Sequence, residues 1–141
     1  MINFIPSKEM KINLTPAQAE MLSTKEDIKT IIRENPETVM AFDIVDESGL
    51  IGFALVHRFE DKKYFLWEYA IDTAHQNQHK GTEALIAFKA YLKERHDARL
   101  LTTTYIYGNE PAKHMYEKVG FVETEEIIEP DYHEVNMACS L

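Results

Sequence analysis

The stretch AIDTAHQNQHKGTEALIAFKAYLKERH, Ala70 to His96, carries the chain from the end of a strand through a very polar connection into a long helix. From Thr82 onward Leu85, Phe88 and Leu92 recur at helical spacing, and Ala84, Ala87 and Tyr91 widen the stripe. Glu83, Lys89 and Lys93 take the other side, so this helix is expected to lie on a sheet. Its first turn presents unpaired N–H groups at the C-terminal edge of a strand, where α/β folds bind anionic ligands. The connection holds His75, Gln76, Asn77, Gln78, His79, Lys80 and one glycine, Gly81. Three readings compete for it. Successive inward amides make a phosphate cradle, to which Lys80 adds charge. A metal site needs His75 and His79 to converge, with Asp72 turned back as the third ligand. A solvated loop needs nothing, and one glycine is a weak signal against it. The cradle is favoured and no metal is expected.

Working outward, TVMAFDIV and LIGFALVHRF flank DESG and read as an antiparallel hairpin, with YFLWEYAID as a third strand. Upstream, Thr15-Pro16 and Ser23 or Thr24 are start signals for two helices, the second stopped at Asn35-Pro36. Downstream, ARLLTTTYIY reads as a strand. In NEPAKHMYEKVG, Asn109 caps a last helix and Gly120 ends it. FVETEEII and YHEVNMACSL close the chain as two strands around Pro130-Asp131. The order predicts one α/β (α+β) domain over 1–141: a mixed, mostly antiparallel sheet of about six strands with about four helices.

The totals exclude several classes. A chain of 141 residues with 45% hydrophobic residues buries a core without disulfides or metal. No stretch approaches the ~20 apolar residues of a membrane span. The start lacks a signal-peptide pattern, and the single cysteine, Cys139, fits a reducing, cytoplasmic setting. A net charge of -9 argues against nucleic acid. From Phe121 to the end stand six acids (Glu123, Glu125, Glu126, Glu129, Asp131, Glu134) and no Lys or Arg. They form either a solvated face or a field for a cationic small molecule.

Two motifs together resemble the GNAT superfamily of N-acetyltransferases. QNQHKG fits the superfamily's pyrophosphate loop at Gln76 and Gly81, with His79 where a glycine is preferred. NEPAKHMYEKVGF is similar to its second signature at Asn109, Ala112, Tyr116, Gly120 and Phe121. The resemblance runs from about Val39 onward. His79 departs from it by bringing a Cβ where the backbone should approach the pyrophosphate. The first strand is a second departure, short or missing, at best INFI.

The resemblance implies acetyl transfer from acetyl-CoA to an amine by direct attack. Tyr116 is then the acid that protonates the leaving sulfur, against packing on the sheet. Glu68, a carboxylate in an apolar strand, is the candidate base, with Glu125 or Glu126 as substitutes. Backbone groups of Ile71, Asp72 and Thr73 would hold the pantetheine arm, with Asn109, and those from Gln76 through Asn77, Gln78, His79, Lys80 and Gly81 to Thr82 the pyrophosphate. A small cationic amine, polyamine-like, is the expected acceptor, and an open-edged sheet offers a surface for a homodimer. The competing reading is a non-catalytic acyl-CoA or polyamine-binding module on the same fold.

Overall fold

A computed structural model describes residues 1–141. The chain runs β1 (Asn3–Pro6), α1 (Pro16–Met21), α2 (Lys25–Glu34), β2 (Val39–Asp46), β3 (Gly49–Glu60), β4 (Lys63–Ile71), a 3-10 turn (Thr73–His75) and α3 (Lys80–His96). It closes with β5 (Leu100–Ile106), α4 (Glu110–Lys118), β6 (Val122–Ile128) and β7 (His133–Ser140). The expected α/β architecture is present, with seven strands where about six were expected. INFI accounts for the difference: β1 is short but pairs with β2 from Asn3↔Val45 to Pro6↔Phe42.

All strands share one sheet in the order β1-β2-β3-β4-β5-β7-β6. Only β4 and β5 pair in parallel, and the connection between them is the helix α3. The expected stripe on α3 is the one that packs: Ala84, Leu85, Phe88 and Leu92 are fully buried. They join Phe42, Val56, Leu66, Leu101 and Met137 in the larger core. A smaller core on the opposite face sets Ile28 of α2 against Ala41, Phe53, Leu55 and Ala70. That face is more open over β5, β7 and β6, where none of Thr102, Thr104, Ile106, Glu125, Glu134 and Asn136 is buried.

Local chemistry sets the helix ends. Thr15 and Gln18 form a reciprocal capping box on α1, and Thr24 rather than Ser23 caps α2. Asn109 caps α4 through Ala112 N–H, and Gly120, at φ +104°, ends it. No helix is long and apolar enough to cross a membrane.

Two irregularities shape the centre. Leu55 pairs with Glu68 but Val56 with Leu66, so Trp67 is an extra residue in β4, a bulge. Leu66 therefore joins the α3-side core, while Glu68 shares the α2 side with its partner Leu55. At Gly52, an added Cβ would stand 2.8 Å from the Ala70 carbonyl oxygen and 3.0 Å from Ile71 Cδ1. Only glycine lets β3 lie this close to β4. Gly52→Ala is therefore expected to lower stability by about 1–3 kcal/mol in urea unfolding; a loss below about 0.5 kcal/mol would contradict so close an approach.

Candidate active site

β4 and β5 pair only at Lys63↔Leu100, Tyr64↔Leu101 and Phe65↔Thr102, and then part. Beyond Phe65 the β5-facing edge of β4 has no strand neighbour, and α4 and the α1–α2 turn close over the gap. A cavity of about 220 Å³ results, lined mainly by apolar side chains. Leu66, Trp67, Tyr69 and Ala70 form one wall and Thr103 to Ile106 the other. Met21 and Leu22 complete the lining together with Asn109, Ala112, Met115 and Tyr116.

Tyr116 lies in this wall, its ring edge-on to Phe121 at 5.4 Å. Burial raises its phenol pKa, with the neighbouring Thr103 hydroxyl opposing. The phenol stays protonated through the neutral range, as a proton donor must. Asn109 is also in the wall. Its Oδ1 is used by the helix cap, while its Nδ2 meets only the Met21 sulfur at 3.6 Å and is the atom free for other work.

Glu68 is 4% exposed and does not line the cavity. One carboxylate oxygen accepts from Ser23 N–H at 3.2 Å, in the turn between α1 and α2. Burial raises its pKa, and the Ser23 bond opposes the rise. Tyr116 and Glu68 therefore flank the gap from opposite faces of the sheet.

Ile71, Asp72 and Thr73 are largely committed within the chain. The Ile71 carbonyl accepts from Gln18 Nε2 and Gln76 Nε2, at 2.9 and 3.1 Å. Asp72 N–H donates to Ile51, and Thr73 N–H to Asn13. The Asp72 carboxylate accepts from Asn13 N–H and Ala74 N–H, which hold its pKa down despite burial. The backbone open to a ligand lies earlier, from Trp67 to Ala70.

The connection from Gln76 to Thr82 departs from expectation in two ways. α3 begins at Lys80, two residues early, so Gly81 sits inside its first turn rather than in the loop. The left-handed positions are Asn77 (φ +61°) and His79 (φ +60°), not Gly81. Each costs about 1 kcal/mol or somewhat more for an L-residue. His79 makes no side-chain cap, and the N–H groups of Lys80, Gly81 and Thr82 meet no protein acceptor. Three parallel donors at a helix start fit a phosphate.

The Lys80 side chain turns away from that cradle. Its ammonium contacts Asp46 Oδ2 at 3.0 Å, Ser48 Oγ at 3.0 Å and His75 Nδ1 at 3.3 Å. The loop is thus tied to the β2–β3 turn, and the charge expected for phosphate is already neutralised. Because an ammonium only donates, His75 must accept at Nδ1, which fixes the other ring nitrogen as N–H. No group of three or more His, Cys, Asp or Glu is gathered as a metal site.

Sequence reasoning missed two residues. Tyr69 donates to the Gly81 carbonyl at 2.5 Å, pinning the start of α3 to β4. Gln18 joins the α1 cap to the end of β4. The Thr15-x-x-Gln18 spacing signals the cap, but nothing in the sequence signals either tertiary bond.

The register sorts the six acids. Glu125 and Glu134, paired with Asn136 and Ile106, lie on the same face as the cavity-lining Thr104 and Ile106. A chain Thr104–Asn136–Glu125, at 2.8 and 3.1 Å, links the cavity wall to the first of them. Glu123 turns to the other face, where it accepts from Tyr105, and Glu126 faces His133 there. Glu129 and Asp131 belong to the turn between β6 and β7.

A family model described as the acetyltransferase (GNAT) family matches residues 7–121. No curated protein matches the sequence. Among solved structures, the spermidine N-acetyltransferase of Vibrio cholerae in complex with CoA and spermine is similar at TM-score 0.73 and 16% identity, over 88% of this chain and 79% of that one. The dodecameric structure of the same enzyme gives TM-score 0.74 and 13% identity, over 99% and 93%. An IAA acetyltransferase from Bacillus cereus gives TM-score 0.70 and 15% identity, over 100% and 99%.

The Asp46–Lys80 pair carries a pH signature. Its hydrogen bonds to Ser48 and Lys80 hold the Asp46 pKa down from 3.8 to about 2. A depressed carboxylate contributes stability above its unfolded pKa and loses it as pH falls through the folded one. The stability gap between the native protein and Asp46→Asn should be constant above about pH 5 and close between about pH 4 and 2. Urea unfolding across that range measures it; an equal gap at both ends would remove the pairing as its source.

Proposed function

Because the chain belongs to the acetyltransferase (GNAT) family, we propose that it moves an acetyl group from acetyl-CoA to a primary amine of a small cationic, polyamine-like acceptor by direct attack. The parting of β4 from β5, with Tyr116 on one face and Glu68 on the other, is the observation that carries this reading. The cofactor supplies a thioester, a carbonyl open to amine attack with a thiolate as leaving group.

The chain's residues fit that chemistry. The N–H groups of Lys80, Gly81 and Thr82 hold the pyrophosphate, and the open edge of β4 from Trp67 to Ala70, with Asn109 Nδ2, holds the pantetheine arm. His79 serves by its backbone in the left-handed conformation a glycine would take more cheaply. Tyr116 gives its proton to the departing sulfur, and the second proton shed by the acylated nitrogen restores the phenol. Glu68 takes the proton that the ammonium must lose before it can attack, relayed by water from the acceptor side. A raised carboxylate pKa makes it a stronger base. Closing both reactants in an apolar cleft supplies much of the remaining rate.

The acceptor follows from the contrast between throat and rim. No carboxylate lines the cavity, so an amine there is held by apolar contact and favoured in its neutral, reactive form. Glu125 and Glu134 stand on the face shared with the cavity-lining Thr104 and Ile106 and suit a second, distant ammonium. The spermine-bound enzyme of Vibrio cholerae agrees with such an acceptor.

Release of free thiol from acetyl-CoA with spermidine or spermine tests the reading. Turnover is expected, with kcat/KM falling as salt rises because the rim charges are exposed. A flat salt response, or faster turnover of a neutral amine, would remove the cationic acceptor. Stabilisation by CoA with no thiol release from any amine would favour a non-catalytic binding module. Tyr116→Phe should lower kcat by about 100-fold with little change in the acetyl-CoA KM; an unchanged kcat would leave Tyr116 a packing residue.

A further inference from the structure

At the far end of α3 lies an open groove of about 1030 Å³, where β1 gives out at Pro6. α2 forms one side and the last turns of α3 the other. Tyr91 and His96, both half-buried with ring centroids 5.6 Å apart, present ring surface to it, backed by the buried Phe42. The rim carries Lys8, Lys11, Lys29 and Arg33 against one lining carboxylate, Glu9.

In a chain of net charge -9 this cluster opposes the sign of the whole molecule. Part of it is neutralised: Lys11 pairs with Asp43 at 2.8 Å, and Lys29 is shared between Glu26 at 3.6 Å and Glu9 at 3.9 Å. Lys8 and Arg33 have no carboxylate within ion-pair distance. The C-terminal end of α3 by itself disfavours an anion, but Arg95, placed over the Tyr91 ring at 5.8 Å, offsets it.

We propose that this groove is a second binding site, for an aromatic organic polyanion of nucleotide type. Its flat ring lies against Tyr91 and His96, and its anionic groups meet Lys8 and Arg33. A ring without charge leaves the two cations unused, and an inorganic polyanion leaves the aromatic wall unused. The site is separate from the phosphate cradle, since the 17 residues of α3 lie between them, a span of roughly 25 Å.

ATP is the probe, titrated calorimetrically into the full chain with CoA already saturating so that the cradle is filled. Saturable binding is expected, about tenfold weaker in Lys8→Glu/Arg33→Glu, with adenosine and tripolyphosphate each at least about tenfold weaker than ATP. The neutral pair Lys8→Gln/Arg33→Gln should lose less, and unchanged CoA binding and thermal melting in both variants would show the fold and cradle intact. No heat with ATP at millimolar concentration overturns the proposal. So does equal affinity in the charge-reversed protein, or tripolyphosphate binding as tightly as ATP. The comparison of variants decides the matter even if CoA itself does not bind, which separates this failure from failure of the acetyltransferase reading.

Discussion

β4 and β5 lie side by side for three residue pairs and then separate, and most of the site follows from that separation. A parallel pair inside a sheet normally continues as far as both strands last. Here the Trp67 bulge bends β4 just after its last pair with β5, and Gly52 lets β3 hold the bent strand closely from behind. The Thr103 hydroxyl spans the start of the gap by donating to the Leu66 carbonyl at 3.3 Å. Past that bond the backbone of β4 faces open space, and the α4 wall with Tyr116 closes it from one side.

The same bulge divides the chemistry between the two faces. Without the extra residue, Leu66 and Glu68 would share a face by the period of two. With it, Leu66 enters the α3-side core and Glu68 turns to the α2 side, where Ser23 N–H meets it. Candidate proton donor and candidate proton acceptor thus flank the gap instead of crowding one wall. Both groups have raised pKa values for the same physical reason, removal from water, but the consequences differ. A phenol is kept protonated, whereas a carboxylate becomes more basic.

The free N–H groups at the start of α3 are braced from β4 by Tyr69 and from the β2–β3 turn through the Lys80 side chain. Tyr69 pins the Gly81 carbonyl and Lys80 ties the loop to Asp46 and Ser48, leaving only backbone donors toward a ligand. This division explains how a loop with two left-handed non-glycine residues keeps its shape. Tertiary bonds offset a strain of order 1–2 kcal/mol at each position.

Periodicity and capping chemistry are local, and they were legible in the residues alone. The α3 stripe, the caps at Thr15 and Asn109, the β2–β3 hairpin and the order of elements all stand as read, and the spacing from Asn109 to Phe121 pointed to the right family. The short β1 was visible only as a fragment, because four residues carry too little pattern until a partner strand pairs with them. Tertiary structure decided the rest. Whether Lys80 faces a phosphate or Asp46, and whether Glu68 opens to the cavity or to Ser23, depends on bonds between residues tens of positions apart. The sorting of the six terminal acids likewise awaited the register of β5, β7 and β6. A one-residue bulge between Glu123 and Glu125 exchanges the faces, and composition carries no trace of it.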